Sequence, residues 1–302
     1  MKEKNQTSLN KKIIIRQFIH DDSHDLIKAG FKYGYRILYP SFYDKLLRAT
    51  KLAPRKINLV AYHIESNRAI GFLSIVLHTT SLCSIRNVFL DPKFRRMGVA
   101  TRLLNHALIL AKKRGVKKVC LTSYPLSPAT KLYRKLGFRQ IVKTHIVKGQ
   151  GLTSPFPIKN DDPLIELSRH SQKNKNLVFN IFRRSMGKEW MDFFESNSTR
   201  LFNGHLQGFG RFFSKSLFIN DSKTSFAIIY RLPLFHTANV ELYGLSDSSF
   251  PAMFKSIMKI LNRRGITYSK VFLFNVESKE CQDLLNEYQF YPYQAVYMGR
   301  SL

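Results

Sequence analysis

One stretch of the sequence gathers residue types that can hold a pyrophosphate. It reads Asn87-Val88-Phe89-Leu90-Asp91-Pro92-Lys93-Phe94-Arg95-Arg96-Met97-Gly98-Val99-Ala100-Thr101-Arg102. An apolar run stops at a proline, a short basic loop follows, and Leu103, Leu104, Ala107, Leu108 and Ala111 then recur at helical spacing. A loop that opens directly into a helix aims several backbone N–H groups at one point, beside the positive end of the helix dipole. The small residues Gly98 and Ala100 let an anion come close, and Arg95, Arg96 and Arg102 supply cations suited to phosphate oxygens.

The elements that must position this loop follow from periodicity and punctuation. Lys12 to Arg16, Ile57 to Ile64, Ala69 to Leu77, Ser84 to Leu90, Lys118 to Thr122 and Gln140 to Val147 are strand-like, with Glu65-Ser66-Asn67-Arg68 as a hairpin turn. Helices are expected at Asp21 to Ala29, capped by Asp21 or Asp22, at Tyr43 to Ala53, from Leu103 to Arg114-Gly115, and from Ala129 to Leu136 before Gly137. The glycine- and proline-punctuated stretch from Gly149-Gln150-Gly151 through Pro155, Pro157 and Pro163 marks a domain boundary, giving domains 1–150 and 151–302.

The pattern Arg95-x-x-Gly98-x-Ala100, together with Ala129-x-x-Leu132-Tyr133-x-x-Leu136-Gly137-Phe138 downstream, resembles the GNAT family of N-acetyltransferases. The resemblance covers residues 12–150. It implies an α+β (mixed α/β) fold, a mixed sheet splayed open between the strand ending at Leu90 and the strand ending at Thr122, flanked by helices. Acetyl-CoA is expected in that cleft, its pantetheine arm paired with the backbone of Val88, Phe89 and Leu90 and its pyrophosphate on the loop formed by Arg95, Arg96, Met97, Gly98, Val99, Ala100 and Thr101. The same resemblance makes Tyr133 the general acid that protonates the departing thiolate when an amine attacks the thioester directly.

The sequence also departs from the family. The asparagine that commonly stands seven residues before the tyrosine is replaced by Leu126, with Ser127 or Ser123 as substitutes for its hydrogen bond. The two places where relatives carry a glutamate base hold Leu121 and Ser84. His63, His78, Glu65 and Tyr35 stay open as bases acting through water, and an amine that arrives neutral needs none.

The second half repeats the order of the first. Ser225 to Tyr230, Ala238 to Gly244, Lys270 to Val276 and Gln294 to Met298 read as strands, and Phe250 to Asn262 and Cys281 to Tyr288 as helices. LILAKKRGVKKVCL has its counterpart in KILNRRGITYSKVFLF, and KLYRKLGFRQI in DLLNEYQFYPY, so two tandem copies are expected. Leu177 to Phe213 is aromatic-rich and reads as helical, with Ser168 to Asn176 as a second loop or an exposed turn. The second copy has Leu245-Ser246-Asp247-Ser248-Ser249 where the basic loop belongs and Leu284-Leu285 where the tyrosine belongs. It reads as degenerate, a domain that shapes the acceptor site.

Charge then limits the partners. The chain carries 49 Lys and Arg against 20 Asp and Glu, a formal net charge of +29. Residues 1–150 hold 30 basic and 7 acidic side chains, whereas 151–302 hold 19 and 13. A field of that sign repels polyamines and aminoglycosides and favours an acidic acceptor: an acidic peptide or protein N-terminus, a lysine, a nucleotide sugar, an RNA-bound amine or another small amine. A polyanion or nucleic acid docking on Lys112, Lys113, Arg114, Lys117 and Lys118 is the rival reading, in which a GNAT scaffold binds CoA or nucleic acid without catalysis. The three cysteines are too few and too scattered for a disulfide framework or a metal cluster. No run reaches the length of a membrane span, and a cytoplasmic protein with no metal is expected.

Overall fold

The computed structural model describes residues 12–31, 55–150, 164–168, 171–194, 214–232, 237–244, 246, 249–266, 268–274, 279–288 and 290–302. They form two compact units. The first holds the described residues up to Thr122, Leu126–Arg139 and Met298–Leu302; the second holds Ser123–Pro125 and the described residues between Gln140 and Tyr297.

In the first unit the chain runs β1 (Ile13–Gln17), α1 (Asp22–Lys28), β2 (Arg55–His63), β3 (Arg68–Leu77), β4 (Leu82–Leu90), a 3-10 turn (Pro92–Phe94), α2 (Val99–Lys113), β5 (Lys118–Ser123) and α3 (Pro128–Lys135). The strands lie in the order β1-β2-β3-β4-β5. The first four are antiparallel neighbours, and β5 joins β4 in parallel, with α2 as the crossover. This is the mixed sheet expected from the sequence. β3 is buried at every position but its two ends, because helices cover both faces. Leu26 of α1 packs with Phe31, Val60, Ala69 and Phe72, while Val99 of α2 packs with Ile13, Ala61 and Ile70. The stripe read from spacing in α2, Leu103 to Ala111, is buried throughout.

Local details differ from the sequence reading where a tertiary partner intervenes. Asp21 makes no side-chain cap to α1. Asp22 instead accepts from the Ile19 N–H and pairs with Arg16 at 2.7 Å, so its carboxylate ties β1 to the helix. The expected helix Tyr43 to Ala53, and Tyr35, lie outside the described residues.

The second unit runs β6 (Arg139–Gln150), β7 (Leu164–Leu167), α4 (Gln172–Phe194), β8 (Ser214–Asn220), β9 (Phe226–Leu232), β10 (Thr237–Tyr243), α5 (Phe250–Arg263), β11 (Tyr268–Phe274), α6 (Lys279–Glu287) and β12 (Phe290–Ser301). Its strands follow the order β12-β6-β11-β10-β9-β8-β7. The succession β9, β10, α5, β11, α6 repeats β3, β4, α2, β5, α3, as the two tandem copies predicted. Its core gathers Phe250, Phe254, Ile257 and Leu261 of α5 against Val240 and Leu242 of β10 and Leu285 of α6.

Three expectations are corrected here. Gly149-Gln150 does not break the chain: β6 continues through them because Gly149 pairs with Ser269 and Gln150 with Tyr268 of β11. This pairing assigns residues 140–150 to the second unit, whereas the sequence reading gave them to the first domain. In turn the last residues belong to the first unit, where the Leu302 N–H donates to the Lys117 carbonyl at 2.9 Å and the Arg300 guanidinium donates to the Leu136 carbonyl. The expected turn Ser168 to Asn176 is helical from Gln172 onward. α4 then breaks at Gly187, where φ is +77°, and the residues after Phe194 up to 213 lie outside the described set. Among the described residues no helix is long and apolar enough to cross a membrane.

Candidate functional site

The centre of the first unit is a split sheet. β4 and β5 are paired over three rungs, Leu82–Lys118, Cys83–Val119 and Ser84–Cys120. Beyond them β4 runs on to Leu90 and β5 to Ser123. The register between β3 and β4 also shifts by one residue, Phe72 facing Phe89 but Ser74 facing Arg86. Asn87 sits at this bulge with φ +55°, a left-handed conformation that asparagine tolerates better than most residues. A bulge bends and twists its strand. β4 is buried from Leu82 to Ile85 and becomes exposed at Arg86 and Asn87, and Val88, Phe89 and Leu90 beyond are half-buried. The three residues read as pantetheine partners therefore lie on the stretch of strand past the last β5 rung.

The loop after β4 is held from below and open above. Asp91 is 3% exposed and is consumed by the fold, accepting from the Lys93 N–H and from Arg68 at 2.9 Å. Arg68 also lies over the Phe94 ring. Met97 packs against the cluster of Ile13, Ala61, Ile70 and Val99, which turns Arg95, Arg96 and Gly98 outward, where they are exposed. Arg96 (φ +63°) and Gly98 (φ +79°) both take left-handed conformations. Gly98 is the N-cap of α2, and the first helical bond runs from the Arg102 N–H to its carbonyl at 3.1 Å. The N–H groups of Val99, Ala100 and Thr101 consequently have no acceptor within the helix. A Cβ built on Gly98 would meet nothing within 4 Å. Two cations are less free than the sequence suggested. Arg102 donates to the Ile13 carbonyl at 2.9 Å and Arg95 to the Leu90 carbonyl at 3.3 Å.

Tyr133 lies on α3, whose start is fixed by Pro128 and by Ser127 Oγ accepting from the Thr130 N–H. Ser127 is thus a helix cap, which explains its place better than a role in rebuilding the binding arm. The Tyr133 ring is 6% exposed and meets Phe138 edge-on. Burial pushes its phenol up to about 12, so it stays protonated at neutral pH. Leu126, at the position of the missing asparagine, is 92% exposed.

The open base candidates separate on structure. Glu65 is exposed and paired with Lys12. His63 is buried beside Phe94, with Nδ1 on Ser66 at 2.7 Å. His78 lies just past the end of β3 with Nε2 2.8 Å from Ser84 Oγ, and Arg86 Nε donates to the same oxygen at 3.1 Å. The sequence gave no sign that His78 and Ser84 meet, because their contact depends on the hairpin register between β3 and β4. The bulge at Asn87 was likewise missed; an asparagine inside an apolar strand was its only local signal.

Comparison with known proteins agrees with this geometry. The family model of the acetyltransferase (GNAT) family matches residues 24–138. An uncharacterized N-acetyltransferase of Methanocaldococcus jannaschii is 30% identical over 153 residues, which cover 47% of this chain and 66% of that protein. Among solved structures, a GCN5-related N-acetyltransferase from Sphaerobacter thermophilus superposes with a TM-score of 0.60 at 13% identity, over 96% of both chains. A tandem GNAT protein from the clavulanic acid biosynthesis pathway gives 0.52 at 12% identity, over 96% of this chain and 98% of that one. At such identities these two likenesses are of fold. The residues that match the acetyltransferase (GNAT) family model, 24–138, contain the split between β4 and β5, the bulge at Asn87 and the loop into α2.

Proposed function

We propose that the chain is an acetyl-CoA-dependent N-acetyltransferase whose first unit binds the cofactor and carries the chemistry. The observation that carries this reading is the coincidence of the split at Ser84–Cys120, the bulge at Asn87 and the open turn at Gly98 within one loop–strand unit. The residues fit the group, since the space above Gly98 is clear and the surrounding N–H groups and exposed Arg95 and Arg96 carry the sign of charge that a pyrophosphate needs.

Acetyl-CoA supplies an acetyl group activated as a thioester. The chain's part is to hold it and to manage protons. The backbone of Val88, Phe89 and Leu90 binds the extended arm, and the turn from Arg95 to Thr101 binds the phosphates. Tyr133 would hold a proton at Oη for the departing thiolate, a phenol being neutral at pH 7. The net +23 of residues 1–150, from 30 basic and 7 acidic side chains, supports an acidic amine acceptor over a cationic one.

Calorimetric titration of the full chain with acetyl-CoA tests the cofactor site, with Gly98→Asp as the control. Binding that Gly98→Asp abolishes supports the reading. Equal affinity in both would remove the pyrophosphate from this turn, and no binding in either would remove the cofactor from this chain.

A further inference from the structure

We infer that Ser84 and His78 form the proton acceptor of this reaction, Ser84 Oγ meeting the acceptor amine and His78 taking the proton through it. The inference rests on the acetyl-transfer reading above. It starts from a row of polar side chains where a sheet core is otherwise apolar. The registers place Ser74 opposite Arg86 and Val76 opposite Ser84, so these residues share one face of β3 and β4. Ser74 donates to Asn58 at 2.8 Å on the neighbouring strand, and His78 closes the row on Ser84. Ser74 is 2% and Ser84 5% exposed. Burying such groups is costly unless every one is bonded, and apolar side chains would avoid the cost. The row ends at the last rung between β4 and β5, the throat of the split.

Donor rules fix one end of the row. Arginine can only donate, so Ser84 Oγ accepts from Arg86, and the relay requires that the hydroxyl proton be directed at His78 Nε2 rather than the ring donate to the oxygen. In that arrangement His78 Nδ1 carries the ring proton and Nε2 is the acceptor. An ammonium reaching Ser84 gives one proton to Oγ as the serine passes its own to Nε2. The amine is left neutral with its lone pair free, His78 becomes an imidazolium, and solvent later removes that proton. Arg86 assists, since a fixed cation beside the throat disfavours the charged form of the amine. The titratable side chains on the strands around His78 include Arg55 and Lys56 on β2, Cys83 and Arg86 on β4, and Lys118 and Cys120 on β5. Ser84 is the residue in contact with substrate and His78 acts through it.

The first test needs no substrate. In the 15N spectrum of the full chain at pH 8, with His78 assigned through His78→Gln, the inference expects an Nδ1–H ring with Nε2 accepting, and a signal that moves in Ser84→Ala. An Nε2–H ring, a doubly protonated ring, or a signal indifferent to Ser84→Ala overturns it. The second test follows acetyl transfer from acetyl-CoA to a synthetic peptide with a free α-amino group followed by glutamates. His78→Gln and Ser84→Ala should each lower kcat by about 10²-fold, with the KM for acetyl-CoA unchanged. The acid limb of the pH–rate profile should shift, and the double variant should be no slower than the slower single one, as for two residues of one relay. A fall in kcat below about threefold with the acid limb in place overturns the relay. A wild-type chain that binds acetyl-CoA and leaves this peptide unacetylated overturns the acidic-acceptor reading instead, and the ring tautomer then decides the relay.

Discussion

The two units repeat one order of elements and arrive at opposite surfaces. In the first, β4 and β5 pair over three rungs and part; in the second, the corresponding β10 and β11 stay paired over six consecutive rungs, Thr237–Tyr268 to Leu242–Leu273. The register of β4 against β3 shifts at the Asn87 bulge, whereas β10 runs against β9 without a shift from Thr237–Leu232 to Tyr243–Phe226. The helix after β4 begins at a glycine with open space above it. The helix after β10 begins at Ser249, which exchanges side-chain and backbone bonds with Ser246. Gly244, which follows β10, is packed so tightly that an added Cβ would lie 2.3 Å from the Thr224 carbonyl oxygen. A cleft in this architecture is therefore made by releasing two central strands and leaving a helix start bare. Keeping the strands paired and tying Ser246 to Ser249 before the helix returns the same elements to a closed core.

This comparison can be broken at its tightest point. Gly244→Ala places a methyl group against a backbone oxygen and Ile181 Cγ2 while forcing alanine to φ +75°. It should cost about 3–5 kcal/mol, read from denaturant unfolding; a neutral effect would mean the second unit is as open as the first. The opposite is expected at the open glycine. Gly98→Asp should keep the fold, since aspartate tolerates the left-handed region, yet weaken acetyl-CoA by at least about 10²-fold, because a carboxylate near a phosphate costs about 3 kcal/mol or more.

Tyr133→Phe should slow thiol release by roughly 10²-fold at the low end of general-acid effects, with acetyl-CoA affinity unchanged in calorimetry. An unaltered turnover would detach Tyr133 from the chemistry and leave it a core residue beside Phe138. A smaller effect is expected at the bulge. Asn87→Val asks a β-branched residue to take φ +55°, at a cost of about 1–2 kcal/mol, and should loosen acetyl-CoA several-fold. Asn87→Gly should retain affinity, and equal losses in both would assign the effect to the side chain.

The smallest effect is alkaline. Burial raises Cys83 and Cys120 from 9.0 to about 12, so above pH 9 the unfolded chain loses protons that the folded chain keeps. The stability they provide is complete below pH 9 and falls as pH rises toward 12, each thiol removing about 1 kcal/mol by pH 10. Cys120→Ala should flatten the decline in thermal unfolding between pH 9 and 10, and an unchanged slope would place the alkaline sensitivity in other groups.

Much of the site was legible before any coordinates. Leucine spacing located α2, Pro92 ended β4, Gly98 and Ala100 marked a place for close approach, and the Leu132-Tyr133 pair marked α3. These are local properties, decided within a turn or two of chain. The readings that failed depend on distant partners. Gly149-Gln150 read as a break because glycine is a poor strand former alone, yet pairing with Ser269 and Tyr268 carries β6 through it. Asp22 read as a cap until Arg16 claimed it.

The sequence by itself determined which elements form, where the basic loop meets a helix, that the chain contains two copies of one unit, and which copy keeps the positive charge. Those outcomes follow from periodicity, punctuation and charge, which act between near neighbours. Tertiary structure alone decided how many rungs β4 shares with β5, that a bulge falls at Asn87, that His78 reaches Ser84, and which unit receives the residues from Gln140 to Gln150. Each of these depends on strand register, and register is fixed by the summed fit of side chains drawn from well-separated parts of the chain.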